Sequence, residues 1–297
     1  GGPNNLLDGG PGNDKLTGGW GRDTFIAGEG NNEVNVMGGD AKVTAGSGDD
    51  IVRGNWGSDT IDAGDGKNQV LAGGGNNKVT TGSGDDTITA DGGNDVIRAG
   101  DGQNKVQAGE GANYVVTGTG SDQIQALSGN DYVFAGDGVN TISVGEGRNT
   151  VVSGAGADSI TALGSNIVIA GAGNDGITLG WGKDWVYAGK GDDTIDAGGG
   201  NNLLAFNKGD GNDTVIHANW NDETVSLGGG ILLGDIQLAK AGSHLIIKLG
   251  ADQSITLKDW YVSAQYQGLN RLQVLTIDSA DYQSGATDAL HNRPVVV

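Results

Sequence analysis

The chain has 297 residues, of which 59 are Gly, only 3 are Pro and none is Cys, and its formal net charge is -20. This composition excludes an ordinary globular core, disulfide bridges and thiolate metal sites. The acidity argues against nucleic acid or an anionic membrane as a partner, because clustered Lys and Arg are absent, and it favours cations instead.

A nine-residue pattern, G-G-x-G-x-D-x-U-x with U apolar, starts as GGPGNDKLT at Gly9 and recurs almost without a break to Ile216. Each unit joins a glycine-rich turn that carries a carboxylate to a short strand, so stacked units place oxygen ligands at regular intervals. Regularly spaced oxygen ligands suit a hard cation such as Ca²⁺. The pattern therefore predicts an all-β, calcium-organised parallel β-roll over residues 1–216.

The apolar eighth position of each unit predicts the core of the roll. Side chains two residues apart on a strand share a face, and the residue two positions later is small in most units. We therefore expect a thin core in which one branched aliphatic side chain faces Ala. The predicted inward residues are Leu16, Phe25, Val34, Val43, Val52, Ile61, Val70, Val79, Ile88, Ile97, Val106, Val115, Ile124, Val133, Ile142, Val151, Ile160, Val168, Ile177, Val186, Ile195, Leu204 and Val215. The small partners include Ala27, Ala45, Ala63, Ala72, Ala99, Ala108 and Ala135.

These tandem units resemble the RTX (repeats-in-toxin) family of secreted bacterial proteins. The resemblance implies a right-handed roll with two nonapeptides per coil and Ca²⁺ between loops one coil apart. One loop then offers its second and fourth carbonyls and its sixth-position Asp, and the next loop offers its first and third carbonyls and its own sixth side chain. On this chain, the first such site would use Gly10, Gly12 and Asp14 with Ala27, Glu29 and the residue at position 32, which is Asn. The metal-ligating residues implied in this way are Gly10, Gly12, Asp14, Gly19, Gly21, Asp23, Asn32, Asp50, Asp59, Asn68, Asp86, Asp95, Asn104, Asp122, Asp131, Asn140, Gly154, Gly156, Asp158, Gly171, Gly173, Asp175, Asp184, Gly189, Gly191, Asp193 and Asp213.

The sixth position departs from the family pattern, because pairs of Asp alternate with pairs of Asn or, once, Ala. Its residues run Asp14, Asp23, Asn32, Ala41, Asp50, Asp59, Asn68, Asn77, Asp86, Asp95, Asn104, Asn113, Asp122, Asp131, Asn140, Asn149 and Asp158. Several Asn units carry an acid at their third position instead, namely Glu29, Asp65, Asp101, Glu110, Asp137 and Glu146. One hypothesis is that gaps from an Asp loop to an acid-containing Asn loop bind Ca²⁺ more strongly than the reverse gaps. The alternative is that Asn is a neutral oxygen ligand and every gap fills.

Beyond Asp158 the alternation stops. A one-residue deletion in ALGSNIVI, at Ala162 to Ile169, shifts the count, and Asp158, Asp175, Asp193 and Asp213 then follow one another on one edge. These gaps should bind Ca²⁺ most tightly, since the number of charged ligands tunes calcium affinity. Without metal the stacked carboxylates repel one another, so we expect the apo chain to be largely disordered.

The remainder of the chain lacks nonapeptides, and alternating runs such as HLIIKL and SITL predict strands. We expect a β-rich capping module over 217–278 and a polar tail, or the start of a following segment, over 279–297. The stretch from about Phe206 to Asp278 resembles the haemolysin-type calcium-binding related domain of type I secreted proteins. The resemblance implies that this end leaves the secretion channel first, so external calcium would nucleate the roll there.

Catalytic motifs such as G-x-S-x-G, H-E-x-x-H and the P-loop are absent, and the sequence predicts no enzyme activity. The histidines His217, His244 and His291 are scattered, and we expect solvated or turn roles for them. Trp20, Trp56 and Trp181 share the third loop position on one edge. Packing over the loops is the favoured role of these indoles, and stacking on sugars is the alternative.

The favoured function is a calcium-binding module that folds outside the cell and supports the secretion and folding of a larger bacterial toxin, adhesin or secreted enzyme. The alternative is a carbohydrate- or surface-binding roll, such as an alginate-epimerase-like repeat module or an ice-binding adhesin segment. We expect several Ca²⁺ ions, the type I secretion machinery as a partner of the parent protein, no membrane span and a monomeric module. We also expect the chain to be a piece of a larger protein.

Overall fold

A computed structural model describes residues 4–216, 223–262 and 269–274. The chain forms two compact units, Gly1–Gly154 and Ala155–Val297. Both units are built from short strands, and within the described residues the only helical element is a 3-10 turn at Leu233–Asp235. No helix in these described ranges is long and apolar enough to cross a membrane.

In the first unit, strands alternate between two parallel sheets. The strands are β1 (Leu6–Asp8), β2 (Lys15–Thr17), β3 (Thr24–Ile26), β4 (Glu33–Asn35), β5 (Lys42–Thr44), β6 (Ile51–Arg53), β7 (Thr60–Gly64), β8 (Gln69–Leu71), β9 (Lys78–Thr81), β10 (Thr87–Thr89), β11 (Val96–Gly100), β12 (Lys105–Gly109), β13 (Tyr114–Thr117), β14 (Gln123–Ala126), β15 (Tyr132–Phe134), β16 (Thr141–Val144) and β17 (Thr150–Val152). The odd-numbered strands form sheet A in the order β1-β3-β5-β7-β9-β11-β13-β15-β17. The even-numbered strands form sheet B in the order β2-β4-β6-β8-β10-β12-β14-β16.

The register of the sheets confirms two nonapeptides per coil. Leu7 pairs with Phe25 in sheet A, and Leu16 pairs with Val34 in sheet B, so neighbouring strands of one sheet lie eighteen residues apart in the chain. Because every unit has its apolar residue at the same position, this register stacks equivalent side chains directly on one another. The predicted parallel β-roll is therefore the observed architecture.

The core lies between the two sheets and matches the predicted pattern. All the predicted inward residues from Phe25 to Val215 are buried, and only Leu16 is half-buried. The seven Ala named above are also buried, each with no exposed surface. The loops need glycine where they stack: Gly28 has φ +95°, and a Cβ there would lie 1.9 Å from the carbonyl oxygen of Gly10. A side chain at that position would collide with the backbone of the preceding coil.

The second unit has the same arrangement and ends in an antiparallel hairpin. Its strands are β18 (Ser159–Ala162), β19 (Ile167–Ala172), β20 (Gly176–Leu179), β21 (Trp181–Gly182), β22 (Trp185–Lys190), β23 (Thr194–Asp196), β24 (Gly199–Gly200), β25 (Leu203–Phe206), β26 (Asn212–Ile216), β27 (Glu223–Leu227), β28 (Ile236–Ala241), β29 (His244–Leu249), β30 (Ser254–Leu257) and β31 (Leu269–Val274). Sheet A of this unit has the order β19-β22-β25-β27-β31, and sheet B has the order β18-β20-β23-β26-β30-β29-β28. Strands β21 and β24 form a separate pair.

Two features of this unit bear on the sequence-based expectations. Ser159 pairs with Gly176, a step of seventeen residues, so the one-residue deletion is absorbed in the loop while the strands stay in register. Strands β27, β30 and β31 lie in the segment after residue 216 but each pairs in parallel with an earlier strand. Among the described strands of this segment, the antiparallel pairs are β28 with β29 and β29 with β30. The boundary at 216 and the capping role remain predictions, and residues 279–297 lie outside the described part of the chain.

Candidate metal sites in the loop ladders

The sixth-position side chains form a ladder along each edge of the roll. A-to-B loops run from sheet A to sheet B and include the residues Asp14, Asn32 and Asp50, whereas B-to-A loops run back and include Asp23 and Asp59. Although these side chains are polar, nearly all of them are buried, with only a few per cent of their surface exposed. Burial of this kind demands a hydrogen-bonding or ionic partner for every oxygen.

In most of these side chains, one oxygen accepts a hydrogen bond from a backbone N–H. The amide N–H of Asn32 donates to Asp50 Oδ1 at 2.7 Å, and that of Asp50 donates to Asn68 Oδ1 at 3.0 Å. The B-to-A loops behave in the same way, since Asp59 N–H donates to Asn77 Oδ1 at 2.9 Å. Asp and Asn are therefore equivalent at this oxygen, and the N–H of the preceding coil orients both.

The second oxygen of the Asp side chains lacks a partner. With Asp158 left aside, Oδ2 is buried and makes no hydrogen bond in eleven of the twelve other sixth-position Asp residues from Asp14 to Asp213. Asp23 is the exception, because Gly19 N–H donates to its Oδ2 at 3.0 Å and holds the pKa of that carboxyl below its ordinary value. An unpaired buried carboxylate oxygen is costly, so its repetition along the ladder fits a positively charged partner.

A backbone carbonyl oxygen lies beside this second carboxylate oxygen. A Cβ built on Gly54 would lie 2.5 Å from Asp59 Oδ2 and 2.4 Å from the carbonyl oxygen of Ala72, one coil further along. At Gly9 the equivalent atoms are Asp14 Oδ2 and the carbonyl oxygen of Ala27, both at 2.7 Å. Acceptors that converge without a donor fit a hard cation with oxygen ligands, which is the chemistry of Ca²⁺.

The electrostatics of the carboxylates agree with this geometry. Burial raises the pKa of Asp59, Asp95, Asp175 and Asp184 to about 6. Burial also raises the pKa of Asp213 to about 8, and the neighbouring Asp193 charge adds to the shift. The charged forms of these groups are thus unfavourable until a proton or a cation neutralises them.

The sixth-position Asn side chains form hydrogen bonds within their own loops. In six of them, the Nδ2 group of the sixth-position Asn donates to the second and fourth carbonyl oxygens of its own loop at 2.9 to 3.3 Å. These residues are Asn32, Asn68, Asn77, Asn104, Asn113 and Asn140. The structure thus places the amide nitrogen where Asp has its unpaired oxygen. If these Asn side chains were metal ligands, as predicted for Asn32, Asn68, Asn104 and Asn140, only their Oδ1 atoms could bind the ion. Oδ1 already accepts a backbone N–H at Asn32, Asn68 and Asn104.

The third-position acids lie on the outside of the loops. Asp65 is exposed, and its Oδ1 accepts hydrogen bonds from Ser83 N–H at 2.7 Å and Ser83 Oγ at 2.9 Å. Thr119 makes the same two contacts with Asp101, and Ser47 Oγ donates to Glu29. The Ser83 amide holds the pKa of Asp65 below its ordinary value. These carboxylates therefore bridge successive loops at the surface, and their described bonds are not made to the buried ladder.

The second unit contains the predicted run of Asp without Asn between them. Asp158 N–H donates to Asp175 Oδ1 and Asp175 N–H donates to Asp193 Oδ1, both at 2.8 Å, while Asp193 N–H donates to Asp213 Oδ1 at 3.1 Å. The Oδ2 atoms of Asp175, Asp193 and Asp213 are unpaired. Among the glycines whose carbonyls are proposed as ligands, Gly171 and Gly189 occupy the second position of the loops that end at Asp175 and Asp193, and Gly173 and Gly191 occupy the fourth.

Glu223 extends the B-to-A ladder and was missed by the sequence analysis. It is 4% exposed, its Oε2 is unpaired, and burial raises its pKa to about 8. Its Oε1 accepts a hydrogen bond from Asn202 Nδ2 at 3.2 Å. The segment DETV resembles DDTI of the repeats, because in both an acid precedes Thr and an apolar residue. The irregular spacing of this segment concealed the equivalence of Glu223 to the sixth-position residues.

No group of three or more His, Cys, Asp or Glu side chains in the described ranges is placed to hold a metal ion. Near the hairpin, His244 Nδ1 accepts from Asp259 N–H at 2.9 Å, and Ser243 Oγ donates to Asp259 Oδ1 at 2.9 Å. These bonds link His244, the first residue of β29, to the turn that follows β30. His217 and His291 lie outside the described residues.

A parallel solenoid with a buried, oxygen-lined ladder at each loop edge defines a calcium-binding repeat module. The family described as RTX calcium-binding nonapeptide repeat (4 copies) matches residues 1–34, 37–70, 71–106, 107–142, 143–177 and 178–215. The chain therefore belongs to the RTX calcium-binding nonapeptide repeat family. No curated protein matches the chain.

Proposed function

We propose that this chain is a calcium-dependent folding module of a secreted bacterial protein, with Ca²⁺ held between loops of each ladder. The observation that carries the proposal is the row of buried, unpaired Asp Oδ2 atoms, which at Asp14 and Asp59 lie beside a backbone carbonyl oxygen of the next coil. A divalent cation would neutralise these carboxylates and satisfy the carbonyls together, so its binding free energy would become folding free energy. The proposed ligands are the Asp residues of the ladders with the loop carbonyls named in the sequence analysis.

The test is a calcium titration of the full chain followed by far-UV circular dichroism. We expect little regular structure in excess chelator and a cooperative gain of β signal as calcium is added. Magnesium at the same concentration serves as the control, because the smaller ion demands near-octahedral geometry and dehydrates reluctantly. A native spectrum in excess chelator, unchanged by calcium, would refute calcium-dependent folding.

Support for export of the parent protein follows from the same coupling. A chain that stays unfolded at low calcium remains competent for passage through a type I secretion channel and folds in the calcium-rich medium outside. The consecutive Asp158, Asp175, Asp193 and Asp213 lie towards the C-terminal end, which would emerge first and fold first. Hydrogen exchange at limiting calcium tests this order: protection should begin in β20, β23 and β26, and uniform protection along the roll would contradict it.

A second candidate function is polysaccharide binding, and the exposed indoles favour it. Trp20, Trp56 and Trp181 are 65%, 70% and 73% exposed. Each ring lies against the third-position Gly of the next loop on its edge, which supports the packing role as well. Titrating alginate into the calcium-loaded protein and its Trp56→Ala variant separates the two roles. Binding that Trp56→Ala weakens would support a sugar site, and absence of binding would exclude one for this polymer.

A further inference from the structure

We propose that six Asn loops of the first unit bind no cation, because the side-chain amide of each Asn occupies the cation position and supplies the positive partner itself; these are the loops of Asn32, Asn68, Asn77, Asn104, Asn113 and Asn140. A gap is the space between two loops that are one coil apart on the same edge. Gaps that follow an Asp loop would then bind Ca²⁺, and gaps that follow an Asn loop would be closed permanently by hydrogen bonds. This inference rests on the proposed function, since it states which of the calcium gaps are real.

The contacts of Asn32 carry the argument. Its Nδ2 lies 3.2 Å from the carbonyl oxygen of Gly28, 2.9 Å from that of Gly30 and 3.3 Å from that of Ala45. These are the second and fourth carbonyls of its own loop and the first carbonyl of the next loop. The family pattern assigns the same three oxygens to a cation. One NH₂ group thus contacts three oxygens that a calcium ion in this gap would use.

The orientation of the amide is fixed by its other contacts. Asn32 Oδ1 accepts the N–H of Asp14 at 2.9 Å, so turning the amide over would set its NH₂ against that N–H. The turned amide would also set its oxygen against the carbonyl oxygens of Gly28 and Gly30. Five further Asn residues repeat both loop contacts, which makes this arrangement a property of the Asn loop and not of one residue.

The Asp loops show the complementary state. Asp50 Oδ1 accepts Asn32 N–H as an Asn would, yet its Oδ2 is buried without a hydrogen bond. The third-position acids do not restore a charge to the Asn gaps, because Asp65 and Asp101 lie on the surface and accept hydrogen bonds from the next loop. The alternation therefore separates coils that need a cation from coils that fold without one. Each pair of neighbouring coils on an A-to-B edge would need one ion instead of two.

Reciprocal substitutions in neighbouring loops test this inference, with controls one residue away. Asp50→Asn should lose one bound Ca²⁺ and increase the residual β signal in excess chelator, because the new amide closes the gap. Asn32→Asp should gain one Ca²⁺ and require a higher calcium concentration to fold. The controls are Asp49→Asn and Asn31→Asp, which make the same charge changes at exposed fifth positions. Asp49 and Asn31 use only one side-chain oxygen in their described loop contacts, and both replacements keep it.

The readouts are the number of ions per full-length chain at calcium saturation, counted by native mass spectrometry, and the circular dichroism signal in chelator. Unchanged ion counts in both ladder variants, or effects equal to those of the controls, would overturn the inference while leaving calcium binding intact. A wild-type chain that binds no calcium would instead overturn the proposed function. Asp50→Asn decides the matter alone if Asn32→Asp does not fold, because a variant that keeps its full ion count contradicts an amide-closed gap.

Discussion

Replacing Asp193 by Asn should make the protein more stable without calcium and less stable with it. Asp193 lies between Asp175 and Asp213 in the uninterrupted part of the ladder, and its Oδ2 is buried and unpaired. At a strand spacing of ~4.8 Å, two carboxylate charges repel by about 1 kcal/mol in water and by about 3 kcal/mol at an effective dielectric constant of about 20. The substitution removes one partner from two such pairs, and its amide could donate to the carbonyls of Gly189 and Gly191.

The assay must measure folding in both states. In excess chelator, folding is driven by trimethylamine N-oxide, an osmolyte that strengthens effective burial, and is followed by circular dichroism. Because two such pairs are relieved, the osmolyte midpoint of Asp193→Asn should fall by an amount that corresponds to about 2 to 6 kcal/mol. In saturating calcium, the urea midpoint should decrease, because the gaps on both sides of the residue lose a charged ligand.

Asp192→Asn is the matched control. Asp192 is exposed, its Oδ1 accepts the N–H of Asn212 at 2.8 Å, and Asn would keep that acceptor. Its charge change equals that of Asp193→Asn, so a general effect of net charge would move both variants together. The reasoning is refuted if Asp193→Asn loses stability in chelator, or if the two variants respond alike in calcium.

Three further predictions concern pH, the loop glycines and the core. Burial raises the pKa of Asp59 to about 6 and that of Asp213 to about 8 in the folded chain. Their protonation therefore favours folding fully below the unfolded-state pKa of ~3.9, and this contribution to stability is lost as the pH rises through ~6 to 8. In chelator, circular dichroism should therefore show more structure at about pH 5 than at about pH 8. With calcium present, low pH should instead weaken folding, because protons compete with the ion for the carboxylates. A pH dependence in the same direction under both conditions would contradict this reasoning. Gly66→Ala should lower the free energy of unfolding in urea, measured with calcium bound, by more than ~1 kcal/mol, since φ is +118° and the new Cβ would lie 2.2 Å from the Gly48 carbonyl oxygen. Gly92→Ala is the control and should change this free energy little, because the space around Gly92 is open. Ile97→Ala should cost ~2 to 5 kcal/mol of calcium-loaded stability because the side chain is fully buried, and a cost below about 1 kcal/mol would argue against a packed core.

The nonapeptide by itself determined the coil and its core. A fixed repeat places Val34, Val52 and Val70 at equivalent positions, and only parallel stacking two units apart buries all of them at once. The alternation of Asp with Asn and the run from Asp158 to Asp213 were equally visible in the chain, because the sixth position can be counted without knowing its surroundings.

Only the tertiary structure decided what the two side chains do. The difference between Asp50 and Asn68 lies at one terminal atom, whose direction is set by an N–H from the preceding coil and whose partners are carbonyl oxygens of the loop. Whether Asp65 faced the ladder or the solvent depended on how one loop stacks on the next. Glu223 joined its ladder after an irregular step of twenty-one residues from Asn202, which spacing could not predict. A sequence period specifies which residues are equivalent, whereas hydrogen bonding between stacked loops specifies which oxygen is left in need of a cation.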